Sequence, residues 1–207
     1  MTRRLTLALA GGLVAALVAV PAPAHAAPRA TDDTFAMYAG GTYTIAPVAN
    51  DESVFSLPPT SGPLTLCGLG AVDGQRVYVE QVDDTLVVEV SDVFAGAVQI
   101  AYEVCQGNQR DAGTITLTVQ RLRDVRAVRK KGTVGKVVFT NANRVPVDVT
   151  YGSASSGRRD ATRTVAPSSS ITVSTARRSI YWVGVHDDAG VVVTVGDGVL
   201  TGLQKRG

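Results

Sequence analysis

Histidine, cysteine and aromatic side chains are scarce in this chain. Its 207 residues include two His, two Cys, two Met and one Trp, beside six Tyr and four Phe. His25 falls in an N-terminal segment expected to be removed, so His186 is the only histidine left for chemistry. A triad could be drawn on paper from His186, Asp188 and one of many serines. No G-x-S-x-G elbow presents such a serine, and the GSASSG run at 152–157 reads as a flexible turn. One histidine and two cysteines do not complete a zinc ligand set. Acids are present, but no spacing marks a glycosidase pair. Aromatic platforms for sugars or bases are missing too, since Trp182 adjoins Tyr181 and strand neighbours face opposite ways. Trp182 therefore reads as core. The expectation is a non-enzymatic protein with no catalytic residue, no cofactor, no metal and no nucleic-acid partner.

Helical periodicity is also absent, and after residue 30 no apolar run is long enough for a transmembrane helix. The one long apolar run is at the start. Arg3 and Arg4 precede an apolar stretch at 5–20, and Ala24-His25-Ala26 supplies the small residues of a cleavage site, so residues 1–26 read as a secretory signal peptide. Residues 198–207 carry neither a stop-transfer segment nor an LPxTG-type signal. A secreted product is expected, extracellular or held non-covalently at the cell surface.

What is present is alternation. Ile115, Leu117 and Val119 alternate with Thr114, Thr116 and Thr118, and Val98, Ile100, Tyr102 and Val104 take the apolar parity before them. Residues 98–119 thus read as a hairpin around a polar turn at 105–113. Further strands are expected at 64–69, 76–81 and 85–90, and beyond a basic boundary at 122–132 at 134–141, 145–151, 161–166, 170–174, 179–185 and 191–195. Asp73-Gly74, Asp83-Asp84 and the 141–143 Asn-Ala-Asn run read as turns. The fold class is all-β, two antiparallel sandwiches at 31–121 and 122–207.

Cys67 and Cys105 form one even pair in an exported chain, which favours a disulfide. Both are out of phase with the apolar residues beside them. A bond through the core would need a bulge, so a bond at the rim is expected. Charge divides the chain: residues 27–121 hold four basic and twelve acidic side chains, net −8, whereas residues 122–207 hold fourteen and six, net +8. The basic excess gathers at Arg129-Lys130-Lys131, Arg158, Arg159, Arg163, Arg177 and Arg178. Such clusters concentrate anions, or the basic half docks onto its acidic neighbour. Asp32, Asp33, Asn50, Asp51 and Glu52 fit turn geometry, with calcium ligation the alternative; no EF-hand spacing or D-x-D-x-D run supports the latter.

The order Asp32-Asp33-x-Phe35, Gly41-x-x-x-Ile45, Val48-Ala49-Asn50-Asp51, Gly96 and then Tyr102-Glu103-Val104-Cys105-Gln106-Gly107 resembles bacterial immunoglobulin-like, cadherin-like modules. The likeness covers residues 31–120 and departs from the pattern at Cys105 and Gln106. It implies a seven-stranded sandwich of the kind found in surface and adhesive proteins, sometimes stabilised by calcium. A structural or adhesive module at the bacterial cell surface is the first functional expectation. The second is a soluble binder, using its basic half for an anionic cell-envelope polymer or its loops for a protein partner such as a protease.

Overall fold

Alternation of apolar with Thr, Glu or Gln side chains gives fourteen strands among the described residues. The computed structural model describes residues 27–53 and 62–204. Residues 1–26, expected as a signal peptide, and the Pro58-Pro59 connection lie outside the described residues. Seven strands come before residue 121: β1 Asp33–Tyr38, β2 Thr42–Ile45, β3 Thr65–Leu69, β4 Val77–Val82, β5 Thr85–Val90, β6 Gly96–Gln106 and β7 Gln109–Gln120. They form two sheets, in the order β1-β7-β6-β3 and β2-β5-β4. All pairs are antiparallel except β1 with β7, which run parallel from Asp33 opposite Ile115 to Tyr38 opposite Gln120. Two facing sheets in this order, with the first strand beside the last, form an immunoglobulin-like sandwich.

Its core is the set that the alternation picks out. Leu86, Val88 and Val90 from one sheet meet Ile100, Tyr102, Val104, Ile115 and Leu117 from the other, all buried. Each such aliphatic side chain contributes about 1.5–3 kcal/mol. The β6–β7 hairpin is longer than its sequence suggests. The expected polar turn at 105–113 shrinks to Gly107-Asn108, because Cys105, Gln106 and residues 109–113 continue the ladder. Gly107 takes φ 62°, which the tight turn requires.

The second half repeats the plan with different strand sharing. Its strands are β8 Arg126–Arg129, β9 Lys136–Asn141, β10 Val147–Ser153, β11 Arg159–Val165, β12 Ser169–Ser174, β13 Ile180–Asp188 and β14 Val191–Leu200. The sheets run β12-β9-β8 and β11-β10-β13-β14. Phe139, with no exposed surface, packs against Tyr151 and Trp182 at ring separations of 5.9 Å each. Trp182 is core, as its strand position implies.

Two further features shape the second half and its contact with the first. Residues 141–143, expected as a turn, form a buried asparagine clasp. Asn141 Nδ2 donates to Val145 O, Val165 O and Ala166 O at 2.8, 3.1 and 3.2 Å, and its Oδ1 accepts the Asn143 N–H at 2.9 Å. Asn143 then holds the connecting segment, with Arg123 N–H donating to its Oδ1 at 2.7 Å and its Nδ2 donating to Arg123 O at 2.8 Å. The second feature is the β13–β14 hairpin end: Val191 packs on the first core, and the His186 ring meets Tyr38 edge-on at 5.1 Å.

Candidate functional site

The disulfide is formed, and its position refines the expectation. Cys67 on β3 and Cys105 on β6 join neighbouring strands of one sheet, with Cys67 exposed and Cys105 half-buried. Cys67 sits at a register shift between Leu66 and Gly68 and faces away from the core, as its parity beside buried Leu66 implies. A bulge therefore accompanies a bond on the solvent face, whereas the out-of-phase argument tied a bulge to a bond through the core.

His186 lies on β13, in the β13–β14 hairpin, and is buried. It is 8% exposed, and its Nδ1 lies 3.0 Å from Pro146 O. The ring is held between that carbonyl and Tyr38, in the junction between the halves. Nearby, the Tyr38 N–H donates to Tyr43 Oη at 2.8 Å. Burial first, then the charge of Asp188 from the other half, pushes the Tyr43 phenol above its ordinary range.

The acidic group at the start of the first sandwich works as backbone glue. Asp32 Oδ1 accepts the Thr114 N–H at 2.8 Å, and Asp51 Oδ1 accepts the Thr31 N–H at 2.7 Å and the Tyr102 hydroxyl at 3.0 Å. Asp33 Oδ1 accepts from Asn50 Nδ2 at 3.0 Å, while the Glu52 N–H and carbonyl pair with Arg29. Among the described residues, no group of three His, Cys, Asp or Glu is arranged to hold a metal ion. Asp33 is 8% exposed, and its Oδ2 has no hydrogen-bond partner among the described residues.

Burial, opposed by the Asn50 hydrogen bond and reinforced by Asp51, holds the Asp33 carboxyl above its ordinary range. The protonated form is the one the fold prefers. Its stabilising contribution is complete below the unfolded pKa, near 3.8, and is lost as pH rises through the higher folded value. Asp33→Asn keeps the acceptor facing Asn50 and removes the charge. Thermal unfolding should therefore show the variant more stable than the parent at pH 7, with the advantage shrinking as pH falls toward 4 and below. An equal advantage at all pH values would contradict this.

The five arginines expected to bind anions stand in different settings. Arg158 and Arg159 lie exposed at a bulge where β11 leaves β10. Arg163 sits opposite buried Val149, on the core-facing side of edge strand β11, with its Nη1 donating to Thr162 O at 3.0 Å. A charge in that position blocks further strand pairing. Arg177 is engaged by Asp160 through two hydrogen bonds, Nε to Oδ2 at 3.2 Å and Nη2 to Oδ1 at 3.0 Å, and these bonds hold the Asp160 carboxyl below its ordinary range. Arg178 is exposed, and its carbonyl accepts the Leu203 N–H. Arg129, Lys130 and Lys131, by contrast, lie together beside a cleft.

Docking of the basic half onto its acidic neighbour through ion pairs is not what the junction contains. Among the described residues the ion pairs are Arg76–Asp73, Arg110–Glu103 and Arg177–Asp160, each within one half. The junction is made by the Tyr38–His186 ring contact and by Val191 packed on the first core.

No protein-family model matches the chain, and no curated protein matches it in sequence. Among solved structures it is similar to titin domains A168–A170, with 13% identity over 86% of this chain and 66% of that one and a TM-score of 0.33. The CD2-binding domain of CD58 is 10% identical over 86% and 99% of the two chains, TM-score 0.33. The human desmocollin-1 ectodomain is 10% identical over 86% of this chain and 36% of that one, TM-score 0.34. Superpositions this loose carry no weight for ligand or activity. By its strand order, the first half of this chain is an immunoglobulin-like sandwich.

Proposed function

We propose that the chain is a secreted, non-catalytic structural or adhesive module acting at or near the bacterial cell surface. Residues 1–26 serve as a cleaved leader, residues 31–121 as the immunoglobulin-like unit and residues 122–207 as a second sandwich. The junction supports this reading. Val191 seated on the first core and Tyr38 set against His186 join two sandwiches into one unit, which leaves strand faces and edges to meet a partner.

A second reading is favoured by the charge placement. A +8 half whose surplus is not paired across the junction suits a binder of anionic envelope polymer. Arg158, Arg159, Arg163, Arg177 and Arg178 belong to that basic half, as do Arg129, Lys130 and Lys131. Incubating the mature chain, residues 27–207, with isolated bacterial envelope separates the two readings. Retention that survives about 0.5 M salt, where exposed charges are screened within a few ångströms, supports the adhesive module. Release at that salt supports the basic-surface binder. Protein left wholly in the supernatant at low salt contradicts both.

A further inference from the structure

The turn between β8 and β9 walls an open cleft of about 590 Å3, lined by Arg129, Lys130, Lys131, Lys136, Val134 and Gln204 among others. Four of its lining side chains are cations, and among the described residues no carboxylate lines it. The turn is fixed from beneath. Gly135 takes φ +68°, where a Cβ would lie 2.6 Å from Thr175 O. Its N–H donates to Leu203 O at 2.7 Å, and its carbonyl accepts the Thr175 N–H at 2.7 Å. Gln204 Nε2 donates to Thr175 O at 2.7 Å, and Leu203 is buried in the second core. On the cleft wall, Arg129 Nη1 donates to Gly202 O at 2.9 Å. The three lysines make no ion pair among the described residues.

We propose that this cleft binds a linear polyanion carrying closely spaced phosphate groups. The proposal deepens the second reading above, because it names the part of the basic half that meets the polymer. Four cations gathered around a rigid turn repel one another, and of their charged groups only the Arg129 guanidinium is tied to the fold by a hydrogen bond among the described residues. An anion relieves that repulsion. A single phosphate brings at most about two negative charges, whereas a chain of them supplies one or more per unit along an open cleft. Lysine ammonium groups act as point charges on flexible stems, which suits phosphate oxygens presented at variable angles. Among the described residues no aromatic side chain lines the cleft, so they offer no platform on which bases could stack.

Binding of the mature chain to sodium polyphosphate, measured by titration at two salt concentrations, tests this. With four cations engaged, affinity should fall about 50- to 150-fold between roughly 50 and 200 mM salt. In Lys130→Gln/Lys131→Gln that fall should shrink to about 7- to 12-fold, with binding at the lower salt weaker by on the order of 100-fold. Lys136→Gln serves as a milder second variant and should lose on the order of tenfold. Arg144→Gln, an exposed arginine of the same half, should bind as the parent does, and melting curves establish that each variant is folded.

Absence of polyphosphate binding, or parental affinity in the lysine variants, overturns the proposal. Equal competition per phosphate by orthophosphate would show a single-ion site and overturn the polymer. Equal competition by polyglutamate would overturn the phosphate class. Polyphosphate held by the cleft without retention on envelope keeps the cleft and removes the envelope reading. Retention on envelope with parental polyphosphate binding in both lysine variants does the reverse.

Discussion

Asn141→Asp is expected to destabilise the protein by about 3–5 kcal/mol at neutral pH, from hydrogen bonds each costing about 1–3 kcal/mol when a buried partner is left unsatisfied. The two side chains are nearly the same shape, so packing is not what changes. Asn141 has no exposed surface, and its amide nitrogen faces three carbonyl oxygens. An aspartate turns a carboxylate oxygen toward those carbonyls and buries a charge without a counter-ion, which shifts the group toward its neutral form. The loss should therefore ease as pH falls and the carboxylic acid regains one donor. Denaturant unfolding at pH 7 and near pH 4 reads both effects. A loss under about 1 kcal/mol at pH 7 would mean that the clasp is not a buried hydrogen-bond centre.

Replacing both cysteines, Cys67→Ser with Cys105→Ser, is expected to cost about 2–4 kcal/mol and to lower Tm by on the order of 10 °C. The bond closes a loop with a sequence separation of 38 that contains β4 and β5 of the opposite sheet and most of β6. The chain-entropy account gives about 4 kcal/mol for such a loop, as an upper figure. Cys67 is exposed and Cys105 half-buried, so the substitution opens no core cavity and acts mainly through the unfolded chain. Strand β3 is a five-residue edge strand interrupted by a bulge, and its ladder alone holds it weakly. Thermal unfolding with and without reductant checks this. The reduced parent should melt with the double variant, and a reduced protein as stable as the oxidised one would contradict it.

The difference between what the sequence revealed and what it hid follows from how local each signal is. Residues 114–119 announce a half-buried strand because Thr and aliphatic side chains alternate there, and the aliphatic ones are the buried ones. Strand β5 was expected at 85–90 and is found at Thr85–Val90. The parallel pairing of β1 with β7 joins residues about 80 apart, and no local pattern carries it. Polar side chains misled in two places. At 105–113 they mark the solvated end of a long hairpin, where Arg110 pairs with Glu103 across the strands. At 141–143 the two asparagines suit a turn equally well, and only the carbonyls brought by Val145, Val165, Ala166 and Arg123 make them a buried clasp.

The candidate site was legible as composition and illegible as geometry. The count of cations beyond residue 122 stands in the sequence. Their grouping depends on register, which sets Arg163 opposite Val149, and on an ion pair between residues 17 apart, Arg177 and Asp160. The cleft at Arg129, Lys130, Lys131 and Lys136 arises because the β8–β9 turn folds against residues 202–204. His186 is buried for the same kind of reason: its hairpin reaches the first sandwich, and Tyr38 meets it there.

Apolar and ring contacts make the junction, and among the described residues no ion pair joins the acidic surplus of one half to the basic surplus of the other. The salt dependence of thermal unfolding tests that claim most directly. Between about 50 mM and 1 M sodium chloride the Debye length falls from roughly 14 to 3 Å, which screens attraction across the junction and repulsion within each half alike. The expected result is a Tm that holds level or rises, since repulsion among like charges within each half is what salt relieves. A Tm that falls by several degrees over the same range would show that the two halves are held together by their opposite charges, and would contradict the account.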